Sequence, residues 1–229
     1  MNFFEFAWSV LPQLLEATKL TLMITAGSIV LGFVVGIFLA LGRVYGPRPI
    51  RWLSSGYIAF FRGTPLLVQI TIVYFGLPPL LGPLGIHISR IAAAVIGFGL
   101  NSAAYQAEYF RGAVQSITAG QMMAARAVGL SRLLAIRHII LPQALRLVIP
   151  SWSNELIYTI KYSSLAYFLS LQELMFVGKK LSLKTARTFE TLIIVAAIYL
   201  VIVLIVSTLL RLLEKRLSIP GLGAPSEHR

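Results

Sequence analysis

The stretch that decides the fold reads GQMMAARAVGLS and occupies residues 120–131, between two segments apolar enough to enter a lipid bilayer. Its alanines favour a helix without adding bulk. Thr118 and Gln121 have the spacing of an N-terminal capping pair, and Gly129 stands where a left-handed residue commonly ends a helix. Ser131 is suited to cap a second helix, which the next proline disturbs. We therefore predict a helix of about ten residues, a tight turn and a second helix.

The composition of the chain excludes a soluble domain. Hydrophobic residues make up 57% and charged residues 12% of the 229 residues, and mean hydropathy is +0.82, which leaves too little polar surface to face water on all sides. Residues 20–42 and 191–210 carry no charge, and each is long enough to cross a hydrocarbon core of about 30 Å. Residues 53–77, 91–107 and 147–160 are further candidates. The prediction is an all-α integral membrane protein with about five transmembrane helices.

The distribution of basic residues predicts how the chain is oriented. The link after the first span, the segment 108–145 and the end of the chain are rich in arginine and lysine, which places them in the cytoplasm by the positive-inside rule. Residues 1–19 lack the basic start of a signal sequence and are typical of an interfacial helix, with the N-terminus outside. Residues 218–229 are then a cytoplasmic tail.

The link 161–187 breaks this rule, because it must lie outside in a five-span chain. Either the fourth segment does not cross the membrane, or the basic cluster has a function that overrides the rule, and we favour the second. Such a cluster is a solvated face or meets an acidic rim on a partner that delivers substrate. The formal charge of +12 requires no nucleic acid, since most of it faces anionic lipid and partner subunits. The basic residues of the link are Lys161, Lys179, Lys180, Lys184 and Arg187.

Several longer strings together resemble one family of membrane proteins. Residues 62–69 read RGTPLLVQ, residues 101–112 read NSAAYQAEYFRG, residues 142–144 read PQA and residues 161–165 read KYSSL. With the alanine-rich stretch, they resemble the permease subunits of ABC importers of the polar amino acid uptake family, whose cytoplasmic EAA loop has this order and spacing. Tyr162 departs from the family pattern, which commonly has a short amide or acid there.

This resemblance implies the type I permease fold in a single transmembrane domain, residues 1–217, with a coupling helix in the loop 108–145. It also implies a multi-pass protein of the bacterial inner membrane, paired with a second permease copy as a homodimer or heterodimer. The other implied partners are a homodimer of ATP-binding cassette ATPases and an extracytoplasmic amino acid-binding protein. The expected ATPase-docking residues are Gln121, Ala124, Ala125, Ala127, Gly129, Leu130 and Ser131.

The chain has no phosphate-binding loop and no cysteine, and its histidines are isolated. We therefore expect that it binds no cofactor or metal, that ATP and Mg²⁺ belong to the partner ATPase, and that the chain is not an enzyme by itself. Each transport step then changes the balance between inward-facing and outward-facing states.

Polar residues inside two spans form the candidate substrate site. Arg62 is costly in hydrocarbon, so it should face a cavity, the protein interior or an acidic partner, and Pro65 predicts a broken helix beside it. An amino acid zwitterion requires an acceptor for its ammonium group and donors for its carboxylate. Glu155 supplies the first, while Arg62 and two serines supply the second. The candidate substrate-binding residues are Arg62, Thr64, Asn154, Glu155, Tyr158, Ser163 and Ser164.

Two alternatives stay open at this point. Arg62 and Glu155 can form an internal ion pair that only holds helices together. The whole chain can also be an ion-coupled secondary transporter or channel that requires no ATPase. The leading hypothesis is the membrane subunit of an ATP-driven importer for polar amino acids.

Overall fold

The structure, a computed structural model, describes residues 2–117 and 119–217. Every regular element in this part of the chain is helical, so the all-α prediction is confirmed. Thr118, the predicted cap, and the predicted tail 218–229 lie outside the described residues. The helices are α1 (Phe3–Tyr45), α2 (Arg48–Gly63), α3 (Leu66–Leu81), α4 (Arg90–Ser116), α5 (Ala119–Ala127), α6 (Arg132–Ala135), α7 (Leu141–Leu147), α8 (Ile149–Tyr162), α9 (Leu174–Thr185) and α10 (Thr188–Leu217).

Helix α1 begins at a complete capping box, in which Asn2 and Glu5 satisfy each other's backbone amides. It continues past Pro12 without interruption, so no break separates residues 3–19 from the predicted first span. At 1.5 Å per residue the helix is about 64 Å long, which exceeds the thickness of a bilayer. The interfacial position of its first part stays a prediction.

The predicted span 53–77 is not one helix, because the chain breaks between α2 and α3 at Thr64 and Pro65. Pro65 has no amide proton to donate to the carbonyl of Phe61. That carbonyl instead accepts side-chain amide protons from Gln69 at 2.9 Å and from Asn101 at 3.2 Å. The proline-induced break that the sequence predicts is therefore confirmed, and two buried amides stabilise it.

Helices α1 and α4 approach each other closely along a stripe of small residues. A Cβ atom added to Gly36 would lie 3.0 Å from the Cβ of Gln106 and 3.2 Å from the carbonyl of Ala103. A Cβ on Gly32 would lie 2.5 Å from the Gln106 amide. Glycine at these positions lets the two backbones pack within one subunit.

The alanine-rich stretch folds as predicted, into α5, a turn and a second helix. Gly129 has a φ of +84°, and its amide donates to Arg126 while the amide of Leu130 donates to Ala125. These two bonds are those of a Schellman motif. Ser131 caps the next helix by accepting from the amide of Leu134 at 3.3 Å. The predicted helix–turn–helix is thus confirmed over its described residues.

The second helix is disturbed by its proline but does not end there. A π-helical segment, Ile136–Ile140, here called the π-turn, joins α6 to α7. Pro142 is the second residue of α7. The wider turn accommodates a residue that cannot donate a backbone hydrogen bond. Helix α7 then meets α8 at a bend of 54°, and Ile149–Leu169 continues as α8 and a 3₁₀ segment.

Three described helices, Phe3–Tyr45, Leu66–Leu84 with its short 3₁₀ end, and Thr188–Leu217, are long and apolar enough to cross a membrane. The bent pair Arg132–Leu147 and Ile149–Leu169 can form a fourth span. Helix α4 is long enough but is not among the helices that reach this apolarity. The number of five spans therefore stays a prediction.

Helices α9 and α10 pack against the N-terminal half of α1. Phe6 and Leu14 of α1 are fully buried against Leu174 of α9 and Val195 of α10. Glu173 begins α9 and is itself fully buried, accepting amide protons from its first turn and the hydroxyl proton of Tyr199 at 3.1 Å. This carboxylate joins α9 to α10 and stabilises the helix start.

Candidate functional site

One face of α8 presents polar and aromatic side chains outward. Asn154, Tyr158, Lys161 and Tyr162 are exposed on it. The rings of Tyr158 and Tyr162 are stacked with centroids 6.1 Å apart, and the Lys161 ammonium group lies 4.5 Å from the centroid of the Tyr158 ring. Hydrogen-bond donors, a cation and two aromatic faces are therefore available on one side of this helix.

Glu155 lies on a different side of α8 from these exposed residues. It is only 6% exposed and faces α4, where Ser102 donates to it at 2.7 Å and Tyr109 donates at 3.4 Å. A step of one residue along a helix turns the side chain by about 100°, which separates Glu155 from Asn154. The sequence placed these two residues in one site, and the structure does not bring them to the same surface.

A buried polar network behind Glu155 was missed by sequence reasoning. The Gln106 amide donates to the carbonyl of Ile29 at 3.2 Å and to Ser102 at 3.0 Å, and it accepts from the Trp152 indole at 3.0 Å. The network joins α1, α4 and α8. The signal for it was the concentration of Asn, Ser and Gln in an otherwise apolar predicted span.

Arg62 faces Glu108 rather than Glu155. Its guanidinium group lies 3.8 Å from the Glu108 carboxylate and 5.3 Å from the centroid of the Tyr105 ring. The proposed internal pair of Arg62 with Glu155 is therefore wrong. The physical reason is position: Arg62 ends α2 beside the last turns of α4, where an acidic residue lies within its reach.

Glu108 is a shared partner for three arginines. Arg111 is 2.8 Å away, and Arg43 of α1 also pairs with this carboxylate. Burial raises the pKa of Glu108, but the hydrogen bond from Arg111 and the charges of Arg43 and Arg62 lower it more, so that its pKa lies below the ordinary value. The ionised carboxylate ties α1 and α2 to the end of α4, just beyond its apolar stretch.

The hydroxyl groups of Thr64, Ser163 and Ser164 form hydrogen bonds with residues close to them in the sequence. Thr64 donates to the carbonyl of Phe60 at 2.8 Å and accepts from Gln69 at 2.6 Å. Ser163 is fully buried and donates to a carbonyl of its own helix, and Ser164 does the same at 2.7 Å. Thr64 and Ser164 retain partial exposure, whereas Ser163 is inaccessible in this conformation.

Residues 119–133, which comprise α5, the turn after it and the start of α6 and are here called the α5 segment, expose large apolar side chains. Met123, Val128 and Leu133 are 66%, 78% and 73% exposed. Of the predicted docking residues, Ala125 is only 2% exposed and packs against the chain itself, because its side of α5 faces the following helix. Leu130 is half-buried. The exposed members of the predicted set are Gln121, Ala124, Ala127, Gly129 and Ser131.

No group of three or more potential metal-ligating side chains occurs within residues 2–117 and 119–217. His87 and His138 lie far apart in the sequence, on the link before α4 and on the π-turn.

Broken helices, a buried polar network between spans and an exposed apolar helix–turn segment are features of a membrane transport protein. The chain belongs to the family of binding-protein-dependent transport system inner membrane components, whose model matches residues 9–219. The resemblance found in the sequence is thereby confirmed. The protein is a multi-pass inner-membrane protein of a family whose ATPase is a separate subunit.

Similar proteins cover nearly all of the chain. The probable amino-acid permease protein YxeN of Bacillus subtilis (strain 168) is 38% identical over 216 residues, which are 94% of this chain and 96% of that protein. The arginine transport system permease protein ArtQ of the same organism is 38% identical over 207 residues, 90% of this chain and 93% of that protein.

Solved structures agree with this assignment. A crystal structure of an amino acid ABC transporter with histidines matches with a TM-score of 0.82 at 35% identity, covering 94% of this chain and 99% of that one. The methionine ABC transporter MetNI in an inward-facing conformation matches with a TM-score of 0.77 at 20% identity, covering 92% and 99%. At that identity the second match supports the type I permease fold alone.

Proposed function

We propose that this chain is one of two permease subunits that carry a polar amino acid into the cell, driven by ATP hydrolysis in a separate ATPase dimer. The N-terminus lies outside, and the segment 108–145 and the C-terminus lie in the cytoplasm. An external binding protein delivers the cargo, and the pair of permeases alternates between outward-facing and inward-facing states. The relatives named as amino-acid and arginine permeases support this class of cargo.

The observation that carries this proposal is the exposed apolar surface of the α5 segment. Met123 lies on α5 and Val128 on the turn after it, outside every candidate span, and Leu133 lies at the start of the segment Arg132–Leu147 that follows. Large apolar side chains exposed within one short segment are typical of a site that another protein covers. The Schellman turn at Gly129 fixes the end of α5, so the segment is presented as a preformed element.

We propose that Glu155 attracts the ammonium group of the cargo. Among the described residues no cation lies within ion-pair distance of its carboxylate, and its partners Ser102 and Tyr109 are neutral hydroxyl groups. A buried carboxylate without a cation is costly, so binding of a cationic group nearby is favourable. The exposed Asn154 and Tyr158, with Arg62, Thr64 and the serines 163 and 164, complete the proposed path.

The Glu155→Gln variant is expected to fold and to lose at least tenfold in uptake rate. The new amide oxygen can still accept from Ser102 and the new amide nitrogen can donate to the Tyr109 hydroxyl oxygen, whereas the negative charge is removed, and a charge-assisted hydrogen bond contributes about 1.5–3 kcal/mol. ATP-driven uptake into proteoliposomes measures the effect, with Glu190→Gln at the start of α10 as the matched control. Unchanged uptake by Glu155→Gln would assign the ammonium acceptor to another residue or to the second permease, while the family assignment would stand.

Energy coupling is tested in the same proteoliposomes. With the ATPase, the second permease and the binding protein present, uptake is expected only when ATP is supplied on the ATPase side. A non-hydrolysable ATP analogue serves as the control and should give no accumulation. Accumulation driven by an ion gradient without ATP would contradict the proposal and support an ion-coupled transporter.

A further inference from the structure

A groove of about 660 Å³ lies between α1 and α9, and none of its lining residues belongs to α8 or to the α5 segment. Gln13 and Glu16 line it from α1, Lys180 and Lys184 line it from α9, and Gln172 closes it just before Glu173. Its remaining walls are apolar. This volume is far larger than one phosphate group requires, so the groove can hold a polar group together with the body that carries it.

The charges at this groove are unbalanced. Lys180 and Lys184 are four residues apart, on one side of α9, and neither has a carboxylate within ion-pair distance among the described residues. Glu16 lines the same groove, but its carboxylate is bound by Lys19 at 2.5 Å. The Glu173 carboxylate caps α9 by accepting from the amides of Met175 and Phe176. The groove therefore presents ammonium groups that are not neutralised by the chain.

Aromatic side chains are exposed on α1, on the N-terminal side of the groove residues, and at the start of α10. Phe4 and Trp8 on α1 and Phe189 on α10 are each about three-quarters exposed. The Arg187 guanidinium group lies 5.0 Å from the Phe6 ring, which brings the start of α10 beside this part of α1. Aromatic residues at the ends of spans are typical of headgroup depth in a bilayer.

Residues next to the groove are also typical of headgroup depth in a bilayer. Leu15 neighbours Glu16 on α1 and is 50% exposed, and Leu183 neighbours Lys184 on α9 and is 71% exposed. Lysines beside exposed leucines suit a boundary where ammonium groups reach polar headgroups while their stems lie on hydrocarbon. At such a boundary the two leucines are covered by hydrocarbon while the lysines stay at the headgroups.

We propose that the groove between α1 and α9 binds the phosphate group of an anionic membrane phospholipid. Lys180 and Lys184 bind the phosphate oxygens, and the amides of Gln13 and Gln172 donate to the remaining oxygens of the headgroup. This assignment gives the basic link 161–187 a function that does not depend on which amino acid is transported. It also holds for either orientation of the chain, since each leaflet has headgroups.

Native mass spectrometry of the full chain, purified with its partner subunits in detergent, tests this site. Wild-type protein is expected to bind phosphatidylglycerol more tightly than phosphatidylcholine. The double variant Lys180→Gln, Lys184→Gln is expected to lose about thirtyfold in phosphatidylglycerol affinity, from the attraction that two lysines near a lipid surface provide. Lys179→Gln is the matched control, because this neighbour on α9 does not line the groove, and it should retain wild-type affinity.

Three results would overturn the proposal. The first is a double variant that melts at the wild-type temperature and binds phosphatidylglycerol with wild-type affinity. The second is displacement of the lipid by inorganic phosphate at equal concentration, which would indicate a site for a free anion. The third is loss of affinity for the external binding protein with lipid binding unchanged, which would identify the lysines as contacts for an acidic protein.

Discussion

The Gly129→Asp variant is expected to bind the ATPase subunit at least tenfold more weakly than the wild type and to lose ATP-driven uptake in proportion. Gly129 has a φ of +84°, a region that costs most residues with a Cβ atom about 1–2 kcal/mol and aspartate less, so the free variant more readily leaves the conformation that docks. A difference of about 1.4 kcal/mol already corresponds to a factor of ten in binding. The substitution also places a charge beside the exposed Val128, where we propose that the partner makes contact.

A pair of alanine variants separates backbone strain from other effects of the substitution. Gly112 in α4 and Gly129 both have no atom within 4 Å of an added Cβ, but only Gly129 has a positive φ. Gly112→Ala is expected to bind the ATPase normally and to be slightly more stable, since alanine favours the helix. Gly129→Ala should weaken binding, as measured by co-purification and by titration of labelled ATPase. Equal affinities for the two variants would contradict docking at this turn.

The Gln69→Leu variant is expected to lose about 3 kcal/mol or more of stability, the largest effect of any single substitution considered. The Gln69 amide donates to the carbonyls of Phe61 and Thr64, each at 2.9 Å, and accepts from Asn101 at 2.7 Å. Leucine fills a similar volume but removes the donor to the Thr64 carbonyl and the acceptor of the second Asn101 amide proton, while the Phe61 carbonyl keeps only its bond from Asn101. Each buried group left without a partner costs about 1–3 kcal/mol. The midpoint of thermal unfolding in detergent measures the loss.

Two further variants make this result specific to the helix break. Thr71→Val removes only a bond from Thr71 to a carbonyl of its own helix and should lower stability by less than about 1 kcal/mol. Asn101→Leu removes a member of the same cluster as Gln69. The double variant with Gln69→Leu should therefore lose less than the sum of the single losses. Additive losses, or an unchanged midpoint for Gln69→Leu, would refute the role of this cluster.

Local chemistry made the α5 turn and the α2–α3 break predictable from the sequence. Gly129 and Ser131 act on backbone groups within a few residues of themselves, and Pro65 frees a carbonyl one turn earlier. Such effects depend only on neighbours along the chain. Composition together with the lengths of the apolar segments was sufficient to predict an all-α membrane protein.

The candidate site was less predictable, because it depends on which helix faces which. The sequence offered Glu155 as a partner for Arg62, but the arginine ends α2 beside Glu108, a residue that the sequence analysis did not consider for this pairing. Nothing in the spacing along α8 indicates that Glu155 turns toward Ser102 while Asn154 stays exposed. These choices follow from the packing of α1, α4 and α8.

The π-turn before Pro142 has a mechanical consequence. Because backbone hydrogen bonds continue through Ile136–Ile140, the segment from Arg132 to Leu147 is one continuous helical unit of about 24 Å. Backbone hydrogen bonding is weaker at the bend between α7 and α8, where Pro150 has no amide proton to donate to the preceding turn. We therefore expect a force on α5 to rotate the segment Arg132–Leu147 about this bend, and so to change its angle to α8, which carries Tyr158 and Tyr162.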